Sequence, residues 1–465
     1  MPKTSPRPPV QFEFDLICIG SGSAGGSAAV AAARSGLRVA MVEGSTLGGE
    51  SANYSCVPVN ALLQVVSDLE TARNGFAAGV DAGRVSLNWE KALAFKNDCV
   101  KSTGVPDSAN AFSAAGVELL TGFAQFVDPW TINVGSRQLT GRKTIIATGS
   151  TTHVPPIEGL EKCGFITFKE ALSRPRPPAS LFIIGGGTTG CALAEIFNAA
   201  ASRVCLAEAA EHLLPREDPE VGQVVEEIFK TKGVNVLTTV QIGGVKLRDD
   251  GQKEIALTAK GEVKNIIVEE ILVAAGRIPR LDLNLQAAGV QFDDAGIKVN
   301  RFLETTANHI YAVGDVIGHD MLTHLAAQHS RLAVHNLGQA KAKDKLGFDY
   351  AAVSRYLALT PEVAATGLTE TELRQQGLPY MRAMVPVHGL IRSRLSNRRA
   401  GFVKLLCAPD GRLVGGSVIA PSAGEMISQL SLAINAGMGV NEFKNNLKPF
   451  TSWSEAFNLA CQKIR

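Results

Sequence analysis

The sequence feature that most constrains the fold is a unit of strand, glycine-rich turn, helix, strand and acidic residue, which occurs twice. In the first copy the apolar segment Phe14–Ile19 leads into the turn GSGSAG at residues 20–25. A small-residue segment, Gly26–Ser35, follows, and a second apolar segment, Arg38–Val42, ends at Glu43. Short apolar runs beside such a turn are typical of buried parallel strands, so the unit predicts half of a dinucleotide-binding fold.

The second copy has the same order of elements. The apolar segment Leu181–Ile184 leads into the turn GGGTTG at residues 185–190, and a predicted helix continues to Phe197. The strand Arg203–Ala207 then ends at Glu208. The two turns begin 165 residues apart, and in both copies the acid lies 23 residues after the first glycine. One glycine motif is weak evidence, but two in matching context predict two dinucleotide sites.

Each part of the unit has a physical reason. The first glycine permits the tight turn, the second lets backbone approach a pyrophosphate, and the third lets helix and strand pack closely. The positive end of the helix then attracts the anion. Glu43 and Glu208 can accept hydrogen bonds from ribose hydroxyls, and a glutamate repels a 2′-phosphate. The second site is therefore expected to prefer NADH over NADPH.

The rest of the chain predicts further strands and a separate domain. Apolar segments end in small-residue turns at residues 143–149, 270–276 and 309–315. After about residue 349 the pattern changes to alternating strands at 401–406 and 415–419, followed by helices at 423–436 and 454–463. At roughly 100–200 residues per domain, 465 residues predict about three domains. The fold class is therefore α/β, with two Rossmann-like domains and a C-terminal α+β domain.

Composition excludes several functions. A net charge of +2 gives no basic excess for nucleic acid or anionic lipid. The sequence has no apolar run long enough for a transmembrane helix, and the polar segment Met1–Gln11 is expected to be a disordered lead-in without a leader sequence. The expected location is cytoplasmic. The eight cysteines have no spacing typical of a zinc site or a secreted disulfide framework, so no metal is predicted.

These motifs together resemble the pyridine nucleotide–disulfide oxidoreductases, the class I flavoproteins that include dihydrolipoyl dehydrogenase, glutathione reductase and mercuric reductase. The resemblance extends from Phe14 to Gln462. It depends on both glycine turns, on Ala147-Thr148-Gly149, on Gly314-Asp315 and on the segment Tyr356–Glu362, which begins the C-terminal domain.

The resemblance implies a cofactor, a domain and a partner for each part of the chain. FAD would be held by a discontinuous domain at 12–155 and 277–345, NADH by residues 156–276, and residues 346–465 would form the interface of a homodimer. The implied FAD-binding residues are Gly20, Gly22, Gly25, Glu43, Gly49, Ala124, Thr148, Gly149, Gly314, Asp315 and Thr323. The implied NADH-binding residues are Gly185, Gly187, Gly190, Glu208 and Gly276.

The segment that corresponds to the family's redox-active site departs from the family pattern. The family has Cys, four residues and a second Cys, which form a disulfide beside the flavin, whereas this chain has Ser51 and Cys56. A hydroxyl cannot form that disulfide, so the usual dithiol exchange is excluded. Cys56 precedes a predicted helix at 61–69, whose dipole favours a thiolate. The expected role of Cys56 is a single thiol or thiolate beside the flavin.

Three further positions differ from the family. A lysine usual in the family is Asn60 here, and the glutamate that pairs with it is Ala192. Losing both charges together is physically reasonable, because either one alone would be buried without a partner. Near the C-terminus the family's His–Glu pair keeps only Glu455, because Phe450 stands at the histidine position. The implied catalytic residues are therefore Cys56, Ser51 and Glu455.

Three functions are compatible with this pattern. The first is an NADH-dependent flavin oxidoreductase that reduces a small acceptor, such as a quinone, a metal ion or a dye, without a disulfide. The second is an enzyme like mercuric reductase or dihydrolipoyl dehydrogenase, seen as a Cys-to-Ser variant at Ser51, whether natural or engineered. The third is a flavin- and NADH-binding redox sensor with little turnover. His324, His329 and His335 lack the spacing of a metal site and are expected to be structural or at the dimer interface.

Overall fold

The structure is a computed structural model that describes residues 11–74, 79–81, 83–339 and 341–464. Apart from Gln11, the predicted N-terminal lead-in lies outside these residues. The chain divides into two compact units. The first contains residues 1–56, 100–151 and 277–348, and the second contains residues 57–99, 152–276 and 349–465. The proposed division into three domains stays a prediction. None of the described helices is long and apolar enough to cross a membrane.

The described helices and strands occur along the chain in the following order. Up to residue 152 they are β1 (Leu16–Ile19), α1 (Gly25–Arg34), β2 (Val39–Glu43), α2 (Gly49–Asn53), α3 (Cys56–Asn74), α4 (Trp89–Ser102), α5 (Ser108–Ala114), β3 (Val117–Thr121), β4 (Ala124–Asp128), β5 (Thr131–Val134), β6 (Arg137–Thr140), β7 (Thr144–Ile146) and β8 (Ser150–Thr152). Up to residue 337 they are α6 (Leu160–Cys163), α7 (Phe168–Ala171), β9 (Ser180–Ile184), α8 (Thr188–Ala199), β10 (Arg203–Ala207), α9 (Pro219–Thr231), β11 (Asn235–Leu237), β12 (Val240–Leu247), β13 (Lys253–Ala259), β14 (Glu262–Val268), β15 (Glu270–Val273), β16 (Arg277–Pro279), β17 (Phe292–Asp293), β18 (Gly296–Ile297), β19 (Ile310–Ala312) and α10 (Thr323–Leu337). The remainder are β20 (Ser354–Leu357), β21 (Glu362–Gly367), α11 (Glu370–Gln375), β22 (Met381–Pro386), α12 (Ile391–Ser396), β23 (Phe402–Cys407), β24 (Leu413–Ala420), α13 (Ala423–Asn435), α14 (Val440–Asn445) and α15 (Glu455–Lys463).

The first unit contains a five-stranded parallel sheet with the strand order β19-β7-β1-β2-β3. All four residues of β1 are buried, as the apolar run predicted. Helix α1 begins at Gly25, directly after the first glycine turn, so the predicted strand–turn–helix unit is confirmed. Since the strands are parallel, the turns that follow β1, β7 and β19 lie at the same edge of the sheet.

The second unit contains the other glycine turn in a four-stranded parallel sheet with the order β11-β10-β9-β15. An antiparallel sheet of β12, β13 and β14 lies between β11 and β15 in sequence. The predicted elements are again confirmed: β10 spans Arg203–Ala207 and α8 begins after Gly187.

The C-terminal part of the second unit is an antiparallel sheet with the order β20-β21-β24-β23-β22, and helices α13 and α15 pack against it. The alternating pattern expected at 401–406 is wrong in one respect, because every residue of β23 is buried. Leu405 belongs to the core that also contains Leu430 of α13. On the opposite face, Lys404 is fully buried against the carboxylates of Asp218 and Glu370.

Candidate functional site

The first glycine turn is shaped by close backbone contacts. Gly20 has a φ of +98°, and a Cβ there would lie 2.4 Å from the carbonyl oxygen of Ala147. A Cβ on Gly25 would lie 1.8 Å from the carbonyl oxygen of Gly20. No larger residue fits at either position without moving the backbone. The turn therefore holds the start of α1 directly against the edge where β1 and β7 end.

Glu43 ties the end of β2 to this turn. Its carboxylate accepts hydrogen bonds from the backbone N–H of Ser21 at 2.8 Å, the Ser21 hydroxyl at 2.6 Å and the Ser45 N–H at 2.7 Å. The acid therefore lies beside the turn, where a bound ribose would meet it. The backbone at Gly49 also packs closely against this turn, since a Cβ on Gly49 would be 2.6 Å from the Cα of Gly22.

The second glycine turn repeats this geometry. Gly185 has a φ of +107°, and a Cβ on Gly190 would again lie 1.8 Å from the carbonyl oxygen of the first glycine of its turn. Glu208 accepts hydrogen bonds from the backbone N–H groups of Gly186 at 2.6 Å and Ala210 at 2.8 Å. Both copies thus use the acid in the same way, and the sequence repeat is a structural repeat.

In the first unit, the side chains of Ser51 and Cys56 both contact the same hydroxyl group. Oγ of Ser51, on α2, lies 2.8 Å from Oγ1 of Thr323, the first residue of α10. Sγ of Cys56 lies 3.1 Å from the same Oγ1. The Thr323 hydroxyl therefore links the two positions that carry the disulfide in the family pattern.

Cys56 differs from the other cysteines in its exposure. All eight cysteines lie in the described part of the chain as free thiols, and Cys56 is the exposed one. It is also the first residue of α3, as its predicted place near a helix N-terminus requires. Burial raises the pKa of the Cys205 thiol to about 12 and that of Cys461 to about 11, which makes these two cysteines poor nucleophiles at neutral pH.

A chain of polar side chains connects this segment to Asp315. Arg277 Nε donates to the Ser150 hydroxyl at 2.7 Å, and that hydroxyl donates to Oδ2 of Asp315 at 2.5 Å. Arg277 Nη2 also donates to Oε2 of Glu50 at 2.5 Å. Oε1 of Glu50 accepts a further hydrogen bond from Arg280 Nη2 at 3.0 Å. Glu50 directly precedes Ser51, so these pairs hold α2 in place.

Four members of this polar chain were not predicted from the sequence, namely Glu50, Ser150, Arg277 and Arg280. The arginine partners lie 227 and 230 residues from Glu50 in sequence, and a charge pattern carries no information about pairing over such a distance. The available signal was a carboxylate beside Ser51, in a segment otherwise made of small and neutral residues.

The remaining predicted site residues lie mostly at turns. In the first unit, Ala124 is the buried first residue of β4, and Gly314 begins a short 3-10 helix that contains Asp315. The backbone of Gly149 and the Thr148 hydroxyl both bond Arg280, at 3.0 and 2.8 Å. In the second unit, Gly276 has a φ of +108°.

Glu455 is the first residue of α15 in the second unit. The three further positions that differ from the family pattern, besides Ser51, lie in that unit as well. Ala192 on α8 is 2% exposed, Asn60 on α3 is exposed and Phe450 is 80% exposed. A carboxylate at Ala192 would therefore be buried, as the expected paired loss of charge requires, whereas a lysine at the exposed position 60 would not be.

One of the three histidines expected to be structural or at the dimer interface has a structural role within the first unit. His329 on α10 is 1% exposed, and burial lowers the pKa of its imidazole to about 4. Its Nδ1 accepts a hydrogen bond from the backbone N–H of Gly314 at 3.4 Å. The neutral ring is thus a structural support beneath the Gly314 turn. His324, by contrast, is exposed.

The geometry fits two dinucleotide cofactors. Each turn offers a glycine cradle that a Cβ would fill, a helix N-terminus and a carboxylate beside the turn. The residues named above for FAD all lie in the first unit, and those named for NADH all lie in the second.

Comparison with known proteins agrees with this geometry. Residues 14–330 match the family model described as pyridine nucleotide-disulphide oxidoreductase, and residues 353–461 match the dimerisation domain of the same family. The chain therefore belongs to the pyridine nucleotide–disulphide oxidoreductases. The members of this family are NAD(P)H-dependent flavoprotein oxidoreductases that bind FAD.

Individual relatives cover nearly the whole chain. A mercuric reductase of Bacillus cereus is 30% identical over 453 residues, which are 97% of this chain and 71% of that protein. A dihydrolipoyl dehydrogenase of Mycoplasma pneumoniae is 31% identical over 462 residues, 97% of this chain and 98% of that protein. Among solved structures, the Cu(II) complex of the HOCl-induced flavoprotein disulfide reductase RclA from Escherichia coli has a TM-score of 0.85 at 25% identity. That alignment covers 97% of this chain and 99% of RclA.

Proposed function

We propose that this protein transfers hydride from NADH to FAD and then passes the electrons directly to a small acceptor, without a redox disulfide. The observation that carries the proposal is Ser51, whose hydroxyl lies 2.8 Å from Thr323 Oγ1 at the position of the first family cysteine. An alcohol at this position can neither form a disulfide with Cys56 nor attack one as a thiolate.

When bound, FAD accepts two electrons as hydride and can release them singly or in pairs. The residues that would hold it are the turn at Gly20–Gly25, whose backbone would bind the pyrophosphate, Glu43, which would bind the ribose, and Asp315, which would bind the ribityl chain. Thr323 and Cys56, which lie 3.1 Å apart, would contact the flavin together with Ser51.

The acceptor class is a quinone, a metal ion or a redox dye. The electrons balance in each case, because oxidation of one NADH reduces one quinone to its quinol or two one-electron metal ions. The names of the relatives support the inclusion of metal ions, since two of the proteins above are a mercuric reductase and a reductase described as a Cu(II) complex.

NADH is the proposed nucleotide rather than NADPH. Glu208 is 9% exposed and is fixed by backbone N–H groups, so its carboxylate cannot swing away from an incoming 2′-phosphate. Repulsion between the two anions disfavours NADPH.

The protein is proposed to work as a cytoplasmic homodimer. The C-terminal domain belongs to the family's dimerisation domains and exposes several large apolar side chains. Leu447 is 92% exposed, Phe450 80% and Leu432 69%, and a second copy of the chain would cover such a surface.

A second candidate is a disulfide or mercuric reductase seen as a Cys-to-Ser variant. One observation favours it, because Ser51 Oγ and Cys56 Sγ share the Thr323 hydroxyl as a neighbour. A cysteine at position 51 would therefore place a second sulfur beside the hydroxyl that Cys56 Sγ already contacts. A cysteine-to-serine mutant of RclA is among the similar solved structures.

Two measurements test these proposals. Anaerobic addition of NADH to the purified flavoprotein is expected to bleach the flavin band, and a quinone, Cu(II) or dye is expected to restore it. Absence of bleaching would instead support a low-turnover sensor. A parallel screen of acceptors with NADH and NADPH identifies the acceptor class.

The variant Ser51→Cys separates the two enzymatic candidates. Under the first proposal it leaves acceptor reduction as the main activity and gains no disulfide or Hg(II) reduction. A matched control is Ser35→Cys, which adds a thiol at an exposed position after α1. Disulfide or Hg(II) reduction gained by Ser51→Cys and not by the control would favour the second candidate and contradict the first.

A further inference from the structure

Glu50 is a charged residue in the part of the chain that approaches the first glycine turn. The adjoining Gly49 lies so close to Gly22 that a Cβ there would be 2.6 Å from the Gly22 Cα. The Glu50 carboxylate is 19% exposed and pairs with the guanidinium groups of Arg277 and Arg280. A negative charge this near a pyrophosphate site would oppose binding unless those arginines compensated it.

Arg277 lies between two carboxylates. Its Nη2 donates to Glu50 Oε2 at 2.5 Å, whereas its Nε is 3.9 Å from Asp315 Oδ2. The Ser150 hydroxyl stands between Arg277 and Asp315, accepting from the first and donating to the second. A small movement of the guanidinium would therefore exchange the Glu50 pair for a direct pair with Asp315.

We infer that Glu50 is a positioning residue that holds Arg277 away from Asp315. The Asp315 carboxylate then stays available to accept hydrogen bonds from the ribityl hydroxyls of FAD. The inference rests on the proposed function, because it assigns Asp315 to the flavin. Glu50 acts through Arg277 and is given no contact with the reacting atoms.

Glu50→Gln is the informative change. The amide keeps the size of the side chain but removes its charge, so the strongest partner left for Arg277 is Asp315. Capture of Asp315 by Arg277 removes an acceptor from the flavin site. We expect the dissociation constant for FAD to rise on the order of tenfold.

The experiment titrates FAD into the apoprotein and follows flavin fluorescence, and it also measures the midpoint potential of the bound flavin. Glu50→Asp keeps the charge and is expected to bind FAD nearly as the unchanged protein does. The double variant Glu50→Gln, Arg277→Gln removes the competing cation and is expected to recover most of the lost affinity. Glu118→Gln breaks an exposed ion pair with Arg137 and is the matched control.

The outcomes separate the inference from the proposed function. Failure of the unchanged protein to bind FAD would contradict the proposed function. Normal affinity in Glu50→Gln would overturn the inference. The same loss of affinity in the single and double variants would overturn it too, because a merely structural role of Glu50 is not rescued by removing Arg277. Should Glu50→Gln fail to fold, a loss of FAD affinity in the double variant but not in Glu50→Asp would overturn the inference.

Discussion

Replacing Lys404 with methionine should destabilise the second unit strongly. The Lys404 side chain is 0% exposed, and its Nζ lies 3.0 Å from Asp218, 3.1 Å from Glu220 and 2.6 Å from Glu370. Asp218 and Glu370 are themselves only 4% and 6% exposed. Methionine fills much of the same volume but leaves these buried carboxylates without their central cation.

The magnitude follows from Glu370. Burial alone would raise the pKa of its carboxyl, but hydrogen bonds from Lys404, Tyr380 and Arg382 and the charge of Lys404 lower it to about 2. Compared with the ordinary value of 4.5, this corresponds to roughly 3 kcal/mol. This figure includes the hydrogen bonds from Tyr380 and Arg382, so it is an upper bound on what Lys404 contributes through Glu370. Removing one partner of a buried ion pair costs about 3–5 kcal/mol in general, and the expected loss in Lys404→Met is of that order.

The pH dependence of the unfolding free energy provides a second test. Because the folded-state pKa of Glu370 lies below its unfolded value, its stabilisation is present above about pH 4.5 and is lost as the pH falls towards 2. In Lys404→Met the carboxylates gain protons at higher pH, which relieves their repulsion. The difference in unfolding free energy is therefore expected to be largest at neutral pH and to shrink near pH 4.

The assay is urea unfolding of the holoprotein at fixed protein and FAD concentrations, followed by circular dichroism. Lys230→Met is the control, since Lys230 is 56% exposed and pairs with Glu226 one helical turn away. Such a pair contributes about 0.5 kcal/mol or less. A loss in Lys404→Met no larger than in the control, or one independent of pH, would refute the reasoning.

The remaining predictions concern the two nucleotide sites. Gly25→Val is expected to abolish FAD binding, because its Cβ would lie 1.8 Å from the Gly20 carbonyl oxygen. Gly389→Val, where no atom lies within 4 Å of the added Cβ and φ is not positive, is expected to keep it; flavin content after purification measures both. Glu208→Ser is expected to reduce the preference for NADH over NADPH by roughly tenfold, measured as the ratio of kcat/KM values, because the repelling charge is lost. An unchanged ratio would show that Glu208 does not face the 2′ position.

The fold was predictable because its signals are local. The strand, the turn and the helix around Gly20 lie within about 25 residues, and each has a characteristic residue pattern. The same holds for the unit around Gly185. Some element limits differ by only one residue, as at α1, which was expected over 26–35 and spans Gly25–Arg34. Others differ more, as at α3, which was expected over 61–69 and spans Cys56–Asn74.

The buried charges were not predictable, because burial is set by contacts distant in sequence. Lys404 lies in β23, a strand that was expected to alternate between buried and exposed residues. No residue near it in sequence shows that both faces of its sheet are covered. Its partners Asp218 and Glu220 come from the loop before α9 and from its first turn. Glu50 was missed for the same reason, since Arg277 and Arg280 reach it only in the folded chain.

Glu195 is a buried carboxylate on α8 that is paired with a lysine, although it lies at a different position from the glutamate of the family pattern. It lies one turn beyond Ala192 on α8, is 2% exposed, and burial raises the pKa of its carboxyl. Lys232 pairs with it at 2.5 Å and with Glu70 on α3 at the same distance. The two helices that carry the charged pair in the family pattern thus still share an ionic link, at positions other than Asn60 and Ala192.

The neutral residues at positions 60 and 192 help to decide whether Ser51 is an isolated departure from the family pattern. A single Cys-to-Ser substitution would leave the lysine and glutamate of the family pattern in place, whereas here Asn60 and Ala192 are both neutral. Phe450, 80% exposed, also lacks the proton-transfer chemistry of the histidine it replaces. Four positions therefore depart together, and each removes a group that dithiol–disulfide exchange uses. Restoring a cysteine at position 51 alone supplies the second sulfur but neither the charged pair nor the acid–base group, which is why we expect Ser51→Cys to gain no disulfide reduction.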